Sequence, residues 1–129
     1  MFDELMIREG SVRNLLAEDG TAIGFAFECH VPYYRGIGLS MIEDPDLVVD
    51  GKAIPLKSLR FTYRGVTRTF EELSDLSDVR WELGESATIS ALVPGGLVDG
   101  RHELDLILRL RVSYLPFIAE HRFTREIVL

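Results

Sequence analysis

A chain of 129 residues, 47% hydrophobic and 27% charged, is the size of one domain with one core and lies far from the apolar-poor balance of disordered segments. Its formal net charge of −7 argues against nucleic acid, whose binding draws on Lys and Arg displacing counterions, and equally against anionic lipid. No apolar run approaches the ~20 residues of a membrane span, the start Met1-Phe2-Asp3-Glu4-Leu5 lacks the basic-then-apolar order of a secretion signal, and the single cysteine excludes an internal disulfide, so the expectation is one cytoplasmic domain over residues 1–129.

The first predicted element is a strand over Ile23–Cys29, with Ile23, Phe25, Phe27 and Cys29 on one face and Gly24, Ala26 and Glu28 on the other. Cys29 then points into the core, the usual place of a free thiol. Shorter strands follow at Leu47–Val49, Leu59–Tyr63 and Val66–Phe70, separated by Asp50-Gly51 and Arg64-Gly65. Asp-Gly is the stronger hairpin signal, because a type I′ turn needs positive φ at both central positions and these residues tolerate it.

Thr69 and Glu72 have capping-box spacing ahead of Leu73 and Leu76, which predicts one or two helical turns before Asp78. Strands over Val79–Leu83 and Ala87–Leu92 come next, around Gly84-Glu85, and Pro94-Gly95-Gly96 and Asp99-Gly100 mark further turns. The clearest pattern lies in His102–Val112, where Leu104, Leu106, Leu108, Leu110 and Val112 alternate with Glu103, Asp105, Ile107, Arg109 and Arg111. A period of two is what a half-buried strand requires. The last strand spans Ala119–Val128. Short strands broken by turns, with at most one short helix, predict an all-β fold: a two-sheet antiparallel β-sandwich, jelly-roll-like, in a single domain.

Candidate chemistry is sparse. The histidines His30, His102 and His121 are scattered on or beside strands without metal-ligand spacing, and Cys29 and His30, adjacent on a strand, point to opposite faces. No metal or other cofactor is expected in this chain. The carboxylate pairs Glu71 with Glu72, Asp44 with Asp46 and Glu82 with Glu85 sit among turns or on solvated faces of an acidic protein, so ordinary surface roles account for them.

Two blocks have the composition of contact surfaces. In Pro32-Tyr33-Tyr34-Arg35-Gly36-Ile37-Gly38, two tyrosines and an arginine, broad side chains with polar tips, lie beside glycines that permit close backbone approach. In Arg80-Trp81-Glu82-Leu83, alternation puts Trp81 on the face of Val79 and Leu83, where core packing is its ordinary reading.

The order of these blocks resembles the beta subunit of bacterial C-glycoside deglycosidases. The resemblance is carried by Pro32-Tyr33-Tyr34-Arg35-Gly36-Ile37 with Leu39-Ser40-Met41-Ile42-Glu43, by Val49-Asp50-Gly51, by Arg80-Trp81-Glu82-Leu83-Gly84-Glu85, by Pro94-Gly95-Gly96-Leu97 with Gly100-Arg101-His102, and by Arg111-Val112-Ser113-Tyr114-Leu115-Pro116. The resemblance implies a small β-sandwich subunit in a hetero-oligomer with a TIM-barrel alpha subunit similar to sugar-phosphate isomerases. That alpha subunit would hold a divalent metal, usually manganese, and a histidine base, and the complex would act as a lyase. It would cleave the carbon–carbon bond between a 3-oxo sugar and an aromatic, flavonoid-like aglycone.

By this resemblance Tyr33, Tyr34, Arg35, Arg80 and Trp81 are the expected contacts with the alpha subunit or the rim of its pocket, and no catalytic residue is expected here. Gly38 departs from the pattern, where proline would be expected, and loosens the loop. The alternative reading of the same residues is a stand-alone carbohydrate- or aryl-glycoside-binding sandwich, with Tyr33, Tyr34 and Trp81 stacking on rings. A complete jelly-roll or cupin enzyme would need a metal cluster that three scattered histidines do not form.

Overall fold

The structure is a computed structural model and describes residues 7, 8, 10–31, 36–111 and 117–129. Its strands are β1 (Arg13–Leu16), β2 (Ala22–Cys29), β3 (Ile37–Gly38), β4 (Asp46–Val49), β5 (Lys52–Ala53), β6 (Leu59–Tyr63), β7 (Val66–Arg68), β8 (Arg80–Trp81), β9 (Ala87–Ala91), β10 (Arg101–Leu110) and β11 (Ala119–Val128). All pairings are antiparallel, giving a five-stranded sheet β1-β2-β9-β6-β7, a four-stranded sheet β11-β10-β4-β5 and a small β3-β8 ribbon. This is the antiparallel all-β sandwich that the alternation predicts.

The core lies between the two larger sheets. Leu104, Leu106, Leu108 and Leu110 of β10 face Phe25 and Phe27 of β2, Phe61 of β6 and Ile89 of β9 across it, all buried. The outward residues of β10 instead make ion pairs, Asp105 with Arg122 and Arg109 with Asp46 and Glu120. One period-two sequence thus builds an apolar face and a charged face. Cys29 is buried, and loss of hydration drives its thiol pKa far up, so it is a packing residue.

Several boundaries differ from the sequence reading. Ile23, expected in the core row of β2, is 45% exposed because it sits where β1 and β2 lose regular register between Leu15 and Leu16. The expected strand Val66–Phe70 stops at Arg68, since Thr69 and Glu72 form their reciprocal cap: the Thr69 N–H donates to Glu72 Oε1 at 2.8 Å and the Glu72 N–H to Thr69 Oγ1 at 3.3 Å. The short helical segment they start is a 3₁₀ turn, Glu71–Asp75. Val79–Leu83 shrinks to Arg80–Trp81, and Leu83, expected beside Trp81, is exposed.

Both two-residue hairpins have positive φ at both central positions, 53° and 79° at Asp50-Gly51 and 50° and 80° at Arg64-Gly65. Arginine is an unusual occupant of that region. Its side chain is held by two bonds to Glu85, from Nε at 3.2 Å and Nη2 at 2.6 Å, so a distant contact supports a turn that the local sequence specifies weakly.

Candidate functional site at one end of the sandwich

β2 and β10 both run toward the same end of the sandwich, and several of the blocks singled out in the sequence meet there. Ile37 of β3 pairs with Trp81 of β8, and the Leu39 N–H donates to Val79 O at 2.9 Å. The next stretch lies along the tip of β10, with Arg111 N–H donating to Met41 O at 2.7 Å and Glu43 N–H to Arg109 O at 2.9 Å. Arg80, exposed, donates from Nη2 to Gly36 O at 2.7 Å. Residues 36–43, 79–85 and 109–111, far apart in sequence, therefore form one hydrogen-bonded rim.

Trp81 lies beneath this rim with no exposed surface. Its ring meets Phe61 edge-on at 5.5 Å, and its indole N–H donates to Glu85 O at 2.8 Å. Tyr63, also buried, donates its hydroxyl to Glu85 Oε1 at 3.0 Å and accepts from the Glu82 N–H at 3.0 Å. The Arg64 guanidinium, then the Tyr63 hydroxyl, lower the Glu85 pKa, so this carboxylate stays ionised and has no proton to give as a general acid. Gly36 is required by close approach: a Cβ there would meet Trp81 O at 2.9 Å.

Of the five residues expected as contacts, Arg80 is on the surface of this end and Trp81 shapes it from below. Tyr33, Tyr34 and Arg35 lie outside the described residues, as does Val112-Ser113-Tyr114-Leu115-Pro116. Their described neighbours, Gly36 and Arg111, both belong to the rim. Tyr63 and Glu85 were not singled out as a pair by the sequence, and nothing local could have linked a residue at the end of β6 with one in the turn between β8 and β9. The other carboxylate pairs are tied up structurally, Asp46 by Arg109 and Glu72 in its cap.

Gly38, the departure from the expected proline, has φ −72° and ψ 143°, within proline's range. Its N–H turns away from β8 to the Met41 sulfur at 3.2 Å, so no ladder bond would be lost. Gly38→Pro is expected to raise folding stability by about 0.4–1 kcal/mol through the unfolded state, provided the flexible Met41 thioether swings aside. Chemical denaturation of the two proteins checks it, and a lower midpoint in the variant would count against it.

At the opposite end a second set of blocks converges on His102. Its Nε2 lies 2.7 Å from Val98 O and its Nδ1 2.6 Å from Asp50 Oδ2, while the Glu103 N–H donates to Asp50 Oδ1 at 2.9 Å. Nε2 must donate to a carbonyl and Nδ1 faces a carboxylate, so the arrangement favours the doubly protonated ring. The His102 pKa is raised, first by Asp50 and then by Val98 O, and that of Asp50 is lowered, first by His102. With both nitrogens engaged, His102 is a clamp between the β4–β5 turn and the start of β10, not a free ligand. Among the described residues no three His, Cys, Asp or Glu side chains are gathered as a metal would need.

Taken together these features define a small antiparallel β-sandwich whose two ends are fixed by polar networks, and among the described residues no helix is long and apolar enough to cross a membrane. Residues 2–114 match the family model described as C-glycoside deglycosidase beta subunit. The chain is similar to the C-glycoside deglycosidase beta subunit of Eubacterium cellulosolvens, 31% identical over 92% of this chain and 80% of that one, and to one from Arthrobacter globiformis, 34% identical over 94% and 86%. It is also 33% identical, over 90% of this chain and 83% of the relative, to a 3'-dehydrocarminate deglycosidase beta subunit from a Microbacterium species. The chain belongs to the C-glycoside deglycosidase beta subunit family.

Proposed function

We propose that this chain is the accessory subunit of a two-component C-glycoside deglycosidase, and that the rim built on β3, β8 and the tip of β10 is the surface it offers to its larger partner. The supporting observation is the convergence there of Gly36-Ile37, Leu39–Glu43, Arg80–Glu85 and Arg111, four of the stretches that carry the family resemblance. A surface held by backbone ladder bonds and a buried tryptophan is preorganised, so less ordering entropy is lost on association.

In this reading the partner is a TIM-barrel alpha subunit similar to sugar-phosphate isomerases, which supplies the metal and the general base. Among the described residues no three His, Cys, Asp or Glu side chains gather as such a metal would need; His102 has both ring nitrogens engaged, and the buried Cys29 thiol resists ionisation. The substrate class is an aromatic C-glycoside oxidised at the sugar 3-position. Such a 3-keto group acidifies the neighbouring C2–H, and loss of that proton allows the C1–aglycone bond to break, the electron pair leaving with the aryl group, which is protonated at carbon. This subunit's part is to complete the pocket rim and keep bulk water from the reacting bond. The stand-alone binding module loses one of its three stacking rings, because Trp81 is sealed inside the core.

Co-expression with the neighbouring gene tests the pairing. The two chains are expected to elute as one complex on size exclusion. Separate elution, with the neighbour fully active by itself, would overturn the proposal.

A further inference from the structure

Three of the four edges of the two main sheets are blunted. β7 has three residues, β5 has two, and β1 has four with a register break between Leu15 and Leu16. β11 is different: it pairs with β10 without a break over ten residues, contains no proline, glycine or lysine, and its charged residues, Glu120, Arg122, Arg125 and Glu126, are of both signs and so can complement those of another strand. Proteins ordinarily disrupt so long an edge, because its unpaired N–H and C=O groups are a template for another strand. Among the described residues no strand lies on its outer side.

The geometry fixes which groups that edge presents. Leu129 N–H donates to Gly100 O at 2.9 Å and Gly100 N–H to Leu129 O at 3.2 Å, so the odd-numbered residues of β11 bond to β10. The backbone groups of Glu120, Arg122, Thr124, Glu126 and Val128 therefore point outward. Their side chains share the charged face of the sheet.

We propose that β11 pairs antiparallel with β11 of a second copy of this chain, about a two-fold axis at Thr124. This register sets Arg122 opposite Glu126 of the second copy and, by symmetry, Glu126 opposite Arg122, with threonine facing threonine on the axis. Both charged side chains are 62% exposed at this edge, Arg122 also bonding Asp105 and Glu126 also bonding Arg101. On the inner face the same register puts Phe123 opposite Arg125 of the other copy, repeating the cation–ring contact that Arg125 makes over Phe123 within one chain at 5.1 Å. A shallow cleft of about 350 Å³ between Val12 and Phe123 leaves space beside that contact.

Charge selects this register over its neighbours. An axis at Phe123 would set Glu120 against Glu126, an axis at Arg122 or Glu126 would set like charges against themselves, and an axis at Arg125 would leave the charges without opposites. An axis at His121 pairs Glu120 with Arg122 but overlaps only half of the strand. Opposite charges across a strand pair stabilise it and like charges oppose it. The result is a closed two-fold assembly with a continuous sheet, independent of the subunit role proposed above and using a different surface from the rim.

Sedimentation of the full chain over a concentration series tests the proposal, and a monomer throughout the micromolar range would overturn it. Glu126→Arg, which sets Arg against Arg, is expected to weaken the dimer about tenfold or more, and Arg122→Glu likewise. The double variant Arg122→Glu with Glu126→Arg is expected to restore wild-type association within about threefold, a rescue that loss of the bonds to Asp105 and Arg101 could not produce. Absence of rescue, with each variant folded by circular dichroism, would overturn the register. Amide exchange supplies a second reading. The N–H groups of Arg122, Thr124 and Glu126 are expected to slow with concentration while those of Phe123 and Arg125 do not change, and equal behaviour of the two sets would overturn the edge pairing.

Discussion

Trp81→Ala is expected to destabilise the fold by about 3–5 kcal/mol, the range found for removing a large aromatic from a packed core. Trp81 is fully buried, packs edge-on against Phe61 and donates its N–H to Glu85 O, so truncation leaves a cavity and a part-buried carbonyl without its donor. Against a total of roughly 5–15 kcal/mol for a domain, that loss is a large share. The damage is centred on the β3-β8 ribbon, because Trp81 pairs with Ile37 and holds the Glu85 turn. In the complex, the yield of assembled enzyme is therefore expected to fall much more than the single-turnover rate of whatever complex forms. Trp81→Phe should be milder, retaining the ring contact and losing only the hydrogen bond. Unchanged complex yield with a large drop in single-turnover rate would show that Trp81 acts on the chemistry and not on assembly.

His102→Ala is expected to cost about 1–3 kcal/mol, because it removes a buried ring together with its hydrogen bond to a charged carboxylate. The ring is 7% exposed and spans Val98 O and Asp50. Its pKa is raised in the folded state, so its contribution is fully present below the unfolded value, about 6.5, and is lost as pH rises through the folded value. Asp50 behaves in the opposite sense: its pKa is lowered on folding, so its contribution is present above about 3.9 and lost as pH falls through the folded value. The stability gap between wild type and His102→Ala should be widest between about pH 4 and 6.5 and should narrow in alkaline buffer. Above the folded value a neutral ring can donate to just one of its two acceptors, the Asp50 carboxylate or Val98 O. Denaturant titrations across pH measure the gap directly, and a gap that widens toward pH 9 would contradict the assigned protonation.

The long strands were legible because one face of each is buried and the other is not. In β10 the leucines and the charges alternate without exception from Glu103 to Leu106, and the register follows. β6 was bounded correctly for the same reason, its burial alternating from Leu59 to Tyr63, whereas β11, also bounded correctly, buries Phe123 alone. β1, β3 and β5 carry no such pattern: each is short, and its extended form comes from the neighbour it pairs with. Ile23 shows the limit of periodicity, since alternation assigns a face but not whether the sheet extends far enough to cover it.

The polar networks were less legible. Asp50 and His102 lie 52 residues apart and Tyr63 and Glu85 lie 22 apart, and each pairing depends on which strands become neighbours. What the sequence could show was that blocks of unusual composition exist. That Gly36–Glu43, Arg80–Glu85 and Arg111 share one end follows from topology. The same topology separates them from the His102 clamp, which fastens the far end of β10.

Single-turnover cleavage of a 3-oxo aryl C-glycoside, followed with this chain alone, with the alpha subunit proposed as its partner alone and with the two combined, tests the accessory role most directly. The combined sample is expected to release the aglycone and the isolated chain to release none. Turnover by the purified chain by itself, or a proposed partner whose rate does not change when this chain is added, would contradict the account.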